Sequence, residues 1–310
     1  MRRVVVKSPG RIHFGLINPF GGGLRKYIGA GLAIDEPYTL VEALEYDDIV
    51  VEGCRAEEVR EKLAMLGADS ELLRGRVVIK QCIPKHVGLG STTQLVLSVL
   101  AALSRLNRAE IDLLEVAKKT GLGSFSGVGT YAFLKGGFVV DSGKKSPGSY
   151  PRLMLRVDFP EEWYIVVITP PGQGLRDEEE KTVFNRAATT DPSLTWKASY
   201  HLFAEMVPAI LERDFDGFSR ALRDLQSTVG AIFSSVQGGV FANYSLRAID
   251  FLREMGVVGV GQSSWGPTVY GVLDDYAKAR EIAEKARKDM AWASLVTRAR
   301  NTGALIQVLE

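Results

Sequence analysis

The chain has 310 residues, of which 46% are hydrophobic and 24% charged, and its net charge is +1. That length leaves room for two domains with cores of their own, and that composition excludes wholesale disorder. A charge this close to neutral excludes the broad field that nucleic acid or an anionic membrane surface calls for, so neither is expected as a partner and any anion site must be local.

The N-terminal residues Met1-Arg2-Arg3-Val4-Val5-Val6-Lys7 lack the long apolar core and cleavage site of a signal peptide. No uncharged apolar run approaches the ~20 residues of a membrane span, so a cytoplasmic protein is expected. Short β-branched runs predict strands at 4–6, 39–43, 49–51 and 77–79, the last ended by Pro84. Cys54 and Cys82 are too few and too far apart for a disulfide framework or a zinc site, and reduced thiols are expected.

The next stretch carries the clearest chemistry. In Pro84-Lys85-His86-Val87-Gly88-Leu89-Gly90-Ser91-Thr92-Thr93-Gln94, glycines lie between a strand and a predicted helix over 91–106. That helix is apolar on most sides through Leu95, Val96, Val99, Leu100, Leu103 and Leu106, the pattern of a buried helix. Gly88 and Gly90 let the backbone approach an anion, and the first-turn N–H groups point out of the helix's positive end. Ser91, Thr92 and Thr93 add hydroxyl donors, and Lys85 adds charge. The loop is therefore expected to hold a phosphate. Gly-Lys-Ser and Gly-Lys-Thr are absent, so it is not a Walker loop. Gly127-Val128-Gly129-Thr130-Tyr131-Ala132 matches a dinucleotide fingerprint formally, but Gly136-Gly137 is expected to break any helix that follows.

Further along, a second helix is predicted over 111–119, a strand over 136–140, a surface loop over 143–151 and a buried strand over 164–168. A domain boundary is placed there, giving residues 1–165 and 166–310. Helices around 196–212, 214–229 and 242–255 precede strands at 257–260 and 268–272, a helix at 276–288 and a strand at 292–296. This tail reads as a small α/β sandwich.

The glycine loop resembles the phosphate motif of the GHMP kinase superfamily. Lys7-Ser8-Pro9-Gly10-Arg11-Ile12 and Gly259-Val260-Gly261-Gln262-Ser263-Ser264-Trp265-Gly266-Pro267-Thr268 resemble its N- and C-terminal motifs, in the right order. The resemblance implies an α+β, GHMP-kinase-like two-domain fold, with an N-terminal mixed β/α domain and a C-terminal ferredoxin-like α/β sandwich. His13 and Gly15-Leu16-Ile17 stand where sugar kinases of the superfamily carry other motifs, and the segment 121–129 has no carboxylate base. Those departures are similar to the archaeal β-ribofuranosylaminobenzene 5′-phosphate synthases, which serve methanopterin biosynthesis. They join phosphoribosyl pyrophosphate to 4-aminobenzoate or 4-hydroxybenzoate with loss of carbon dioxide and pyrophosphate. An ATP-dependent GHMP-type small-molecule kinase is the alternative, and a homodimer is what the family suggests.

On that reading Lys85, Gly88, Leu89, Gly90, Ser91, Thr92 and Thr93 bind the pyrophosphate or the 5-phosphate. Arg11 and His13 alternate along an extended segment and are expected to face the substrate, with Gln262 and Ser263 as further catalytic candidates. Trp265 offers a flat wall for the benzoate ring, and Arg25 and Lys26, after three glycines, suit a lid over an anion. Mg²⁺ is the expected cofactor, with Asp177 or Glu180 holding it through water and Asp35-Glu36 as a second choice. Phe125 and Tyr131 are expected to be core residues.

Overall fold

The structure is a computed structural model that describes residues 2–20, 25–66, 73–146, 148–172, 174, 179, 182–184 and 191–310. Its first sheet grows from a long hairpin. β1 (Arg3–Ile17) and β2 (Ile28–Leu44) pair antiparallel from Arg3↔Leu44 to Ile17↔Ile28. The register shifts at Pro9/Gly10 and again at His13/Gly15. The second bulge begins at His13, whose N–H meets the turn after β8. β3 (Ile49–Gly53) and β4 (Gly75–Gln81) pair in parallel, joined across α1 (Ala56–Ala64). With β5 (Phe138–Asp141), β6 (Leu153–Val157) and β11 (Leu305–Leu309), the sheet has seven strands. Its main path runs β11-β1-β2-β4-β3, while β5 joins β2 and β6 joins β5.

α2 (Ser91–Leu106) forms over the residues predicted for it and is buried along almost its whole surface. Its leucines and valines pack on Val4, Val6, Val41 and Val77. The helix stays buried because it covers the sheet and is itself covered by α3 (Leu113–Lys119), α4 (Val128–Lys135) and α1.

The second sheet follows from β7 (Tyr164–Thr169), β8 (Gly259–Gln262), β9 (Val269–Leu273) and β10 (Ala293–Arg298). It is antiparallel throughout, in the order β10-β7-β9-β8. α8 (Asn243–Glu254) and α9 (Tyr276–Met290) cover one face. The order β7-α8-β8-β9-α9-β10 is the ferredoxin-like pattern of the expected sandwich. Between β7 and α8 the chain inserts α5 (Pro192–Tyr200), a π-helical turn His201–Met206, α6 (Val207–Glu212) and α7 (Phe215–Gln237). These pack on the other face of the second sheet, so β7 alternates Ile165 and Val167 on one side with Val166 and Ile168 on the other.

Two expectations change. Cys54 and Cys82 form a disulfide, with Cα atoms 6.3 Å apart. They follow parallel neighbours β3 and β4, so residues separated by 28 positions in sequence meet at one end of the sheet. Residues 128–135 are helical after all, since Gly136 ends the helix instead of preventing it. Turns and bends lead into that helix where a dinucleotide site needs a strand, so the formal fingerprint still finds no matching context.

Candidate active site

The glycine loop is held from two sides. Gly88 (φ +87°) and Gly90 (φ +75°, the N-cap of α2) adopt left-handed conformations, and His86 between strand and loop is also left-handed at φ +58°. The Gly88 carbonyl accepts from Arg11 Nη1 at 2.6 Å and from Ser263 Oγ at 2.6 Å. Ser263 Oγ in turn accepts the His13 N–H at 2.9 Å. One buried hydroxyl thus ties β1, the loop and the turn after β8 together. The fit leaves no room for a side chain, because a Cβ on Gly88 would lie 2.1 Å from the Ser263 carbonyl oxygen.

This junction borders a cleft of about 330 Å³. At one end are Lys62, Thr92, Thr93 and the segment 120–124, next to the positive end of α2. Phe125, Phe233, Phe241 and Trp265 line the other end. Trp265 meets Phe233 edge-on at 5.0 Å and Phe184 at 6.0 Å. The cleft therefore joins an end at a helix N-terminus to an aromatic end, with Arg11, His13 and Gln226 also in its lining.

Of the sequence candidates, Arg11, His13, Thr92, Thr93, Gln262 and Trp265 line this cleft. Ser91 and Leu89 are buried behind the loop, and the Leu89 carbonyl accepts the Arg11 N–H. Ser263 is fully buried in the clamp on Gly88, outside the cleft lining. The Gln262 amide is bonded at both ends, accepting the Ala242 N–H and donating to the Ser264 carbonyl. Lys85 pairs with Glu58 at 3.0 Å outside the cleft lining. Arg25 is exposed, donating to Ser142, and Lys26 forms an isolated bridge with Lys144. Asp177 and Glu180 lie outside the described residues. Asp35 pairs with Arg300 at 3.2 Å. Tyr131 is core, but Phe125, 4.4 Å from Phe184 by ring centroids, is a cleft wall and not the expected core residue.

Several participants escape sequence reading. Glu58 accepts from Arg55 and Thr92 and pairs with Lys85. Burial alone would raise the Glu58 carboxyl, but the Lys85 ammonium, the Arg55 guanidinium and the Thr92 hydroxyl together hold it below the usual range. Lys62 donates to the Thr120 carbonyl at the anion end. The segment 121–129 carries no carboxylate, yet Asp141 reaches it from β5, accepting from Ser126 Oγ at 2.9 Å and the Gly127 N–H at 2.8 Å. Ser126 also meets His13 Nε2 at 3.0 Å. A lone Asp after Val139-Val140 gives no sequence signal of such a role. Burial is the largest influence on both ionisable members, pushing Asp141 up to about 6 against the pull of its hydrogen bonds and holding His13 well below 6.5 with help from Arg11.

Among the described residues, no helix is long and apolar enough to cross a membrane. Residues 50–137 match the GHMP kinases N-terminal domain and residues 206–291 the GHMP kinases C-terminal family. Solved structures of low identity share the fold. Streptococcus pneumoniae phosphomevalonate kinase gives a TM-score of 0.71 at 11% identity, over 97% of this chain and 100% of that one. Mevalonate-3-kinase from Thermoplasma acidophilum gives 0.67 at 15%, over 99% and 98%. Nearer in sequence is the β-ribofuranosylphenol 5′-phosphate synthase of Archaeoglobus fulgidus, 31% identical over 98% of this chain and 99% of its own. That of Methanothermobacter thermautotrophicus is 29% identical over 98% of both. With its kinase fold, its cleft and these full-length relatives, the chain belongs to the β-ribofuranosylphenol 5′-phosphate synthase family of the GHMP kinase superfamily.

Proposed function

We propose that this protein condenses phosphoribosyl pyrophosphate with 4-hydroxybenzoate, releasing carbon dioxide and pyrophosphate, as a step of methanopterin biosynthesis. The observation that carries this is the two-ended cleft, in which an anion site at a helix N-terminus adjoins an aromatic wall. The hydroxy acid is chosen over the amino acid because the relatives' names specify a ribofuranosylphenol. The same names favour the synthase over a small-molecule kinase on this fold.

The α2 N-terminus with Thr92, Thr93 and Lys62 takes the phosphate groups, as unpaired N–H groups and positive charge favour. Trp265 and Phe233 form the wall against which the benzoate ring lies. The ring carbon bearing the carboxylate attacks ribosyl C1, and the C1–O bond pair leaves on pyrophosphate. The bond from ring to carboxylate then breaks, its electron pair restores aromaticity, and carbon dioxide departs. No net proton is taken up, so the site needs no strong general base.

Magnesium has no ready protein cage here. Among the described residues no three His, Cys, Asp or Glu side chains cluster as ligands. Glu58, next to the loop, is already paired with Arg55 and Lys85. If Mg²⁺ takes part, it would come with the pyrophosphate substrate, and it would offset the negative charge of the leaving group. A homodimer is also proposed, for which the exposed Trp196, Tyr200 and Leu211 offer apolar surface, and light scattering at micromolar concentration checks it.

The test is incubation of the protein with Mg²⁺, phosphoribosyl pyrophosphate and carboxyl-labelled 4-hydroxybenzoate. Labelled carbon dioxide released in step with pyrophosphate is expected. Its absence, or ADP formed from ATP and a small alcohol, would overturn the reading.

A further inference from the structure

The His13 imidazole sits in the middle of the cleft, and both of its ring nitrogens are engaged. Nδ1 lies 3.0 Å from the Gly15 backbone nitrogen, whose N–H can only donate, so Nδ1 carries no proton. Nε2 faces Ser126 Oγ at 3.0 Å. That hydroxyl has one proton to give, and Asp141 Oδ2 at 2.9 Å takes it. Ser126 Oγ also receives the Val128 N–H at 3.2 Å, leaving one lone pair for His13. Nε2 must therefore be the protonated nitrogen. Asp141 itself is anchored by the N–H groups of Gly29, Gly127 and Gly143 at 3.1, 2.8 and 2.8 Å. Gly29 permits this approach, since a Cβ there would lie 2.3 Å from Ser126 Oγ and 2.7 Å from Asp141 Oδ2.

We propose that Asp141 is a positioning residue which, through Ser126, gives His13 Nε2–H its acceptor, completing the neutral tautomer that the Gly15 N–H selects and keeping a second positive charge beside Arg11 out of the middle of the cleft. The proposal rests on the synthase reading for its purpose. Carbon dioxide leaves only if the carboxylate is not trapped, and an imidazolium at this point would stabilise the bound carboxylate more than the departing neutral molecule. Protonating Nδ1 would set two donors against each other at Gly15. The charged and titratable groups around the relay do not oppose this: Arg11 on β1 disfavours a second positive charge, and Tyr131 and Tyr150 near Asp141 titrate above their ordinary range, chiefly through burial. His13 neither gives nor takes a proton in the proposed reaction; it stays as a fixed, neutral wall.

The test uses the full chain labelled with ¹⁵N-histidine, the His13 signals being identified by their loss in His13→Gln. At neutral pH, one protonated nitrogen assigned to Nε2 and one bare Nδ1 are expected. An imidazolium or an Nδ1–H tautomer would overturn the proposal. Ser126→Ala removes the acceptor of Nε2–H and keeps all three N–H anchors on Asp141. It is expected to leave Nε2–H without an acceptor, shifting its ¹⁵N and ¹H signals while Nδ1 stays bare, and to lower kcat roughly tenfold, the scale of losing a partner that orients an imidazole. KM for phosphoribosyl pyrophosphate should stay within about twofold. Unchanged kcat in a variant whose Nε2–H signal has shifted would show His13 to be only a core residue. Asp141→Asn, which turns an amide donor toward Ser126 or Gly127, should drive the hydroxyl toward His13 and shift the same signals; if it fails to fold, Ser126→Ala still decides. Should wild type release no carbon dioxide, the synthase reading falls while the NMR result still judges the tautomer.

Discussion

Three single residues carry separable consequences. Gly90 is left-handed at φ +75°, and a Cβ there would lie 2.7 Å from Arg11 Cγ. Gly90→Ala should therefore cost about 1–2 kcal/mol in denaturant unfolding and push Arg11 off the Gly88 carbonyl, raising KM for phosphoribosyl pyrophosphate. An unchanged KM would separate the loop from the phosphate. Trp265→Ala removes part of the aromatic wall formed with Phe184 and Phe233. Its KM for hydroxybenzoate should rise roughly tenfold, with that for phosphoribosyl pyrophosphate nearly constant. His13 carries a pH signature. Its folded pKa lies below 6.5, so the unfolded chain binds the extra proton first and the fold loses stability as pH falls below 6.5. Asp141 works the other way, because its folded pKa of about 6 exceeds 3.8 and acid relieves the cost of its buried charge. Asp141 is present in both wild type and His13→Gln, so its contribution largely cancels between them. Below pH 6.5 wild type should lose stability relative to His13→Gln, by up to about 1.4 kcal/mol per pH unit. Parallel pH curves for the two proteins would refute the buried neutral imidazole.

Among the elements, those with a strong period or a bounding Pro or Gly were legible, and those set by tertiary contact were not. Both ends of α2 show in the sequence because Gly90 starts it and its apolar surface runs unbroken to Leu106. β1 and β2 show in the sequence only as short β-branched runs. Their other halves carry Gly10, Gly15, Gly29 and Gly31, which depress strand propensity, and the long hairpin tolerates them because backbones and side chains approach closely there. α1, rich in charge, and the exposed edge strand β11 gave no pattern of their own. In the site, Arg11, His13 and Trp265 were legible from their motifs, whereas Asp141, Ser126 and Glu58 depend on which elements fold beside them. Ser263 lies between these cases: its motif marked it, but its hydroxyl serves the joint between β1, the glycine loop and β8. Ser263→Ala leaves the buried His13 N–H without a partner and the Gly88 carbonyl with one donor fewer. Unfolding free energy should drop by about 1–3 kcal/mol, measured in urea, with the cleft end of the loop loosened as well. A loss no larger than an exposed Ser→Ala change would mean the joint is not made.

At the scale of the whole molecule, the anion end of the cleft depends on how the first sheet is closed at the ends of β3 and β4. Both chain segments leaving those strands contribute to it. Arg55 and Glu58 follow Cys54, while Lys85 and the glycine loop follow Cys82, and the disulfide joins the two at their root. Arg55 spans the same gap, donating to Glu58, to Thr92 Oγ1 at 2.8 Å and to the Ile83 carbonyl at 3.4 Å. The cross-link closes a loop of 28 residues, which on chain-entropy grounds stabilises the fold by roughly 3.5 kcal/mol. A reductant, or Cys82→Ser, should lower the unfolding midpoint to a matching extent. It should also raise KM for phosphoribosyl pyrophosphate more than KM for hydroxybenzoate, because Thr92 and Lys85 lose a fixed neighbour while Trp265 does not. Thiol labelling of the native protein decides whether the bond exists. Little labelling before reduction and two labelled cysteines after it are expected; full labelling of native protein without reductant would restore the free thiols that the sequence suggested, and leave the Arg55 network alone to hold the two segments together.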